Sequence, residues 1–105
     1  MLLLAAGCQP APDDTADPGC VDAPQVTWES WGQGFLTTYC TSCHSVTSPS
    51  RYDAPVGVNF DTLDEVRTYA GAIRSAVVDK ETMPVGGGIT DDDRELLEVF
   101  LDCGL

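Results

Sequence analysis

The run Cys40-Thr41-Ser42-Cys43-His44 constrains this chain more than any other feature. Cysteines three apart on a turn of helix share a face, and a residue directly after the second joins that face. This is the C-x-x-C-H spacing of covalent haem attachment. Both sulfurs reach the vinyl groups on one porphyrin edge, and the histidine places its imidazole beneath the iron. Thioether bonds keep such a cofactor on a protein exposed to a dilute exterior, where a dissociable one is lost. Two other chemistries use paired cysteines. A thioredoxin-type C-x-x-C follows a strand in a βαβ unit, whereas a helical stripe precedes this one. A zinc site needs two further ligands; Cys20 and Cys103 are available, but zinc gives no reason for a histidine beside Cys43.

Chain length sharpens the constraint. Setting aside the first twenty-odd residues leaves about 85 of 105, a size at which a side-chain core is marginal without a disulfide, a metal or a large bound group. A covalent haem supplies that missing core. Seventeen Asp and Glu against five Lys and Arg give a net charge of −12, which argues against nucleic acid and bare anionic membrane as partners. The same charge attracts a basic protein surface; it also serves solubility alone.

Residues 1–8 are apolar, with Ala6 and Gly7 just before Cys8. The run is too short to span a bilayer and lacks a basic opening. It looks like the end of a bacterial lipoprotein signal, cleaved after Gly7 and lipidated on Cys8. It departs from that pattern in having Ala5 where leucine is usual, and the missing basic residues imply a start upstream of Met1. The other reading is an ordinary secretory leader with a cysteine nearby. Either one takes the protein out of the cytoplasm. Residues 9–23 are rich in Pro, Asp and Ala without apolar periodicity, and read as a flexible acidic tether that cannot offset its ordering entropy. The folded domain is expected over 24–105.

Five cysteines are present. With Cys8 in the leader and Cys40 and Cys43 in the motif, Cys20 and Cys103 remain, one near each end of the domain, in a compartment that permits disulfides. Pairing them closes a long loop, a constraint worth at most ~4.5 kcal/mol in the chain-entropy model. Two free or intermolecular thiols are the other outcome.

Three helices follow from period and caps. Trp28, Trp31, Phe35 and Tyr39 share one face, with Thr27 as cap. Gly32 and Gly34 weaken that helix but let another backbone approach closely. Leu63, Val66, Ala70, Ile73 and Val77 form the second stripe, opened by a Thr62–Glu65 capping box. The third begins at Thr90, with Asp91, Asp92 and Asp93 at its positive end, and Leu96, Val99, Phe100 and Cys103 as its expected buried stripe. Residues 45–61 and 79–89 read as loops, and no strands are expected.

The sixth iron ligand is approached by elimination. His44 is the only histidine, and Met1 lies in the leader, so Met83 stands alone as a thioether candidate. Pro84 stiffens the approach to it, and Gly86, Gly87 and Gly88 relax the return. An open distal site with Met83 merely nearby is the other possibility. A thioether opposite imidazole favours ferrous iron and raises the potential. It also closes both axial positions, which points to outer-sphere electron transfer rather than to an enzyme.

With this motif on the first helix, a later Met-Pro loop and a closing amphipathic helix, residues 26–105 resemble the monohaem class I cytochrome c family, in particular small bacterial cytochrome-c-like lipoproteins. The resemblance implies an all-α fold in which three main helices surround one covalent haem c, and the first and last helices cross through a glycine–aromatic contact. Gly32 or Gly34 with Phe35, facing Phe100, match that contact. It implies Cys40 and Cys43 as thioether attachments, His44 as proximal ligand and Met83 as distal ligand. Family members often use a proline carbonyl to accept the histidine's other N–H, which here suggests Pro55. Arg51, Tyr52 and Arg74 are candidates to neutralise haem propionates, or are simply solvated.

The expected function is an extracytoplasmic electron carrier, periplasmic or lipid-anchored, serving redox partners with basic docking surfaces. No small-molecule substrate is expected. Two alternatives stay open: an open-site haem domain of peroxidase or gas-binding type, and a non-haem surface binding domain stapled by a disulfide.

Overall fold

The computed structural model describes residues 18–105; Cys8 and residues 9–17 of the tether lie outside the described residues. Among the described residues the regular structure is entirely helical, with no strand. Each of the three expected helices starts where its local chemistry dictates. Thr27 accepts from Ser30 N (3.1 Å) while Ser30 Oγ accepts from Thr27 N (3.0 Å), a reciprocal box that satisfies two otherwise orphaned donors. The Thr27 carbonyl then receives both Trp31 N and Gly32 N, opening a wide π turn, Trp28–Gly32. This runs into helix α1, Gln33–Tyr39.

The second helical segment opens on the Thr62–Glu65 box, Glu65 N donating to Thr62 Oγ1 (3.2 Å) and Thr62 N to Glu65 Oε1 (3.0 Å). It is not one continuous α-helix. Helix α2, Leu63–Thr68, ends at Tyr69; a single turn, α3, Ala70–Ile73, follows, and the chain widens to π geometry over Arg74–Asp79. Helix α4, Asp91–Cys103, is capped by Thr90, whose hydroxyl accepts from Asp93 N (3.1 Å).

Phe100, Leu36, Leu97 and Val66 are fully buried, joined by Val26, Phe35, Phe60, Ile73, Val77 and Ile89. The first and last helices meet where a side chain is missing. A Cβ on Gly32 would lie 2.6 Å from Phe100 Cζ, so the Phe100 ring occupies the space that glycine leaves. Gly34 has open space around it and takes no part in this contact. Trp31 flanks the contact, its ring centroid 6.2 Å from that of Phe100, and stacks on Phe35 at 4.6 Å.

Seating Phe100 under Gly32 fixes the rotation of α4 and corrects the expected stripe. Leu97 and Phe100 are its buried residues; Leu96 and Val99 are half-buried, and Cys103 is exposed. Cys103 is disulfide-bonded to Cys20, with Cα atoms 5.5 Å apart and a sequence separation of 83. This ties the turn Pro18–Cys20 to the end of α4. Two arginines lock the second segment onto α4. Arg94 donates through Nε to the Val77 carbonyl (3.2 Å) and pairs with Asp91 and Glu81. Arg74 pairs with Glu98 and Asp102.

Candidate haem-attachment site

Helix α1 ends into the motif. Cys40 is its C-cap, donating its N–H to the Leu36 carbonyl (2.8 Å). The Cys40 carbonyl accepts in turn from Cys43 N (3.2 Å) and His44 N (2.9 Å), closing one further turn. The two thiols and the imidazole thus share a single turn beyond the helix end. Both cysteines are free and half-buried. Burial, with a smaller contribution from neighbouring Cys43, pushes the Cys40 thiol up to about 12. A thiol-disulfide catalyst needs the opposite, a thiolate stabilised near neutral pH. That observation and the lack of a strand among the described residues before the motif both disfavour thioredoxin-type chemistry. Cys20 and Cys103 are bonded to each other, and among the described residues no group of three or more His, Cys, Asp and Glu is placed to hold a metal ion.

The imidazole is held by a hydrogen bond and by ring packing. His44 Nδ1 lies 2.9 Å from the Val58 carbonyl. A carbonyl only accepts, so Nδ1 carries the proton and donates it. In the neutral ring Nε2 then holds the lone pair. Fixing the tautomer through an outer hydrogen bond is what a metal-bound histidine requires. The ring packs against Phe60 at a centroid distance of 4.8 Å, Phe60 N donates to the His44 carbonyl (2.9 Å), and Phe60 leans edge-on against Tyr69. A hydrogen bond from Val46 N to Asp61 (3.0 Å) fastens the chain just past His44.

The acceptor differs from the expected one. The Pro55 carbonyl receives Val58 N (3.0 Å) and Arg51 Nη2 (2.7 Å), and Pro55 is exposed. The loop returns toward the imidazole only at Val58, three residues later. Arg51 and Arg74, read as candidates for propionates or for a solvated role, are engaged within the chain: Arg51 with loop carbonyls and Arg74 with Glu98 and Asp102. Tyr52 is exposed, in a left-handed conformation with φ of 50°.

Met83 sits on the 79–89 loop, 42% exposed. Its N–H and that of Thr82 both donate to the Ala76 carbonyl (3.2 and 2.8 Å). The return through Gly86, Gly87 and Gly88 runs at φ of 90°, 76° and 103°, open to glycine and strained for other residues.

Whether these residues suit a haem is judged on the chain itself. The motif turn offers two unpaired thiols and an imidazole with a bare Nε2. Val46, Tyr52 and Val56 on the 45–61 loop and Val85 on the 79–89 loop are largely exposed, and Met83 is partly so. The Asn59 amide oxygen beside Val58 is buried without a donor. Two free thiols and an oriented imidazole on one turn are a donor set that could hold a covalent haem. The Val58 carbonyl and the grip of Arg51 on loop carbonyls are the parts of the site that the sequence does not point to. Val58 acts through its backbone and leaves no residue-type signal; Arg51 is the only basic residue between His44 and Arg67.

Comparisons with family models, with curated proteins and with solved structures return no match to this chain.

Proposed function

We propose that this protein is a one-electron carrier of the class I cytochrome c type, holding a single haem c through Cys40 and Cys43 with His44 and Met83 as axial ligands. The hydrogen bond from His44 Nδ1–H to the Val58 carbonyl carries the proposal. It leaves Nε2 as a directed donor on the same turn as two unpaired thiols. When bound, the haem supplies reversible one-electron chemistry, and a soft thioether opposite imidazole biases it toward the ferrous state.

The chain's own residues have four tasks. Cys40 and Cys43 bond the porphyrin edge. Val58 and Phe60 hold the imidazole against rotation, so the ligand geometry stays the same in both redox states. Met83, on a loop with three glycines at positive φ, would hold the iron from the side opposite His44 and so keep oxygen and peroxide off it. The acidic surface steers encounters with basic partners, an attraction that weakens with salt. The leader-like residues 1–8 support a location in the cell envelope, either anchored by lipid at Cys8 or free in the periplasm, and the acidic charge suits redox partners with basic docking surfaces.

Co-expression with haem-ligation machinery followed by a pyridine haemochrome assay tests the reading. One covalent haem per chain is expected, with a weak long-wavelength ferric band that Met83→Ala abolishes. A colourless product contradicts it. Rapid carbon monoxide binding by the wild type favours the open-site haem domain instead.

A further inference from the structure

The chain has four arginines, and three of them, Arg67, Arg74 and Arg94, pair with carboxylates. Arg51 pairs with none among the described residues, although the chain carries a net charge of −12. Its guanidinium is spent on backbone carbonyls instead. Nη1 donates to Ser45 (2.6 Å), Nη2 to Pro55 (2.7 Å) and Val58 (2.9 Å), and Nε to Ala54 (3.4 Å). Ser45 directly follows His44, and the Val58 carbonyl is the acceptor of His44 Nδ1–H. Arg51 therefore grips the chain on both sides of the imidazole and shares its acceptor.

We infer that Arg51 is a positioning residue that tunes the proximal ligand: by sharing the Val58 carbonyl with His44 Nδ1–H, it limits the electron density that Nε2 can give. The inference rests on the electron-carrier reading of the same site. A carbonyl that already accepts from a cation has less lone-pair density for a second donor, so the imidazole takes on less imidazolate character. A weaker donor stabilises ferric iron less. The guanidinium is also a permanent cation, and positive charge near the iron disfavours the ferric state. Both effects raise the potential. Lysine keeps the charge but lacks the planar fork that spans several carbonyls.

The experiment compares matured wild type with Arg51→Gln and Arg51→Lys by potentiometric titration and by the NMR position of the His44 Nδ1 proton in the ferrous state. In Arg51→Gln the equilibrium is expected to move toward ferric by roughly fivefold to tenfold, tenfold being about 59 mV for one electron. The Nδ1 proton is expected to move downfield as its bond to Val58 strengthens. Arg51→Lys is expected to recover less than half of the shift, and it decides the matter alone if Arg51→Gln does not mature. An unchanged potential overturns the inference. So does full recovery by lysine with the Nδ1 proton unmoved, which leaves only bare charge. A wild type without covalent haem refutes the electron-carrier reading instead. The clamp is then judged on the haem-free chain by ring ¹⁵N shifts. Nitrogen shifts that move further toward the pure Nδ1–H tautomer in Arg51→Gln, as the bond to Val58 strengthens, support it, and unchanged or more mixed tautomer populations overturn it.

Discussion

The two loops that flank the second helical segment are built differently. The 45–61 loop is fastened throughout: Arg51 holds four carbonyls, His44 bonds Val58, Phe60 bonds the His44 carbonyl, and Asp61 receives Val46 N. The 79–89 loop is fastened at its ends, through Ala76 at the start and Arg94 at Glu81 and Ile89, with one bond from Gly87 N to the Pro84 carbonyl between. Hence the imidazole is oriented by the polypeptide itself, while the thioether rides on a segment that bends easily. In the proposed function the proximal ligand comes preorganised, and the distal loop is ordered by the bond it makes.

The contrast can be broken by mutation. Phe60 is buried between His44 and Tyr69. Phe60→Ala is expected to cost about 3–5 kcal/mol in denaturant unfolding of the matured protein, the usual range for a buried aromatic. A loss below about 1 kcal/mol would mean that the proximal loop does not lean on this ring. Gly32→Ala tests the frame beneath both loops. Its methyl meets the Phe100 ring, and about 1–3 kcal/mol of overpacking cost is expected; Gly34→Ala, in open space, is the control and should not destabilise.

Alkaline pH sharpens the picture on the haem-free chain. The Cys40 thiol is raised from 9.0 to about 12, chiefly by burial. A raised folded-state value means the native form keeps a proton that the unfolded chain releases. The stabilisation is complete below pH 9.0 and is lost as pH climbs toward 12. Cys40→Ala should flatten that part of the profile, measured as the difference between variant and wild type in urea unfolding at about pH 8 and about pH 10.5. Equal slopes would place the Cys40 sulfur in water. The smallest effect is one of rates. In the matured protein the Phe60 amide should exchange with solvent more slowly than that of Gly87, and Met83→Ala should widen the gap by loosening the distal loop. Equal protection would erase the distinction.

Helix starts were legible because caps are local: Thr27, Thr62 with Glu65, and Thr90 each act within four residues of themselves. The disulfide was legible by count, since removing the leader and motif cysteines leaves two. The rotation of α4 was not. Leu96 and Leu97 are adjacent leucines, and only the fit of Phe100 beneath Gly32, more than sixty positions away, decides which one is buried. The same limit appears at the site. Cys40, Cys43 and His44 are read from side-chain chemistry, which sequence records. The histidine's acceptor is a backbone carbonyl, which every residue carries, so Pro55 and Val58 are told apart only by where the loop turns back.

Peptide mass spectrometry on protein matured in an envelope expression host reaches the root of the assignment. The fragment containing Cys40, Cys43 and His44 should carry the mass of one haem, with neither sulfur open to alkylation. Recovery of that fragment with two alkylated thiols and no tetrapyrrole would contradict it.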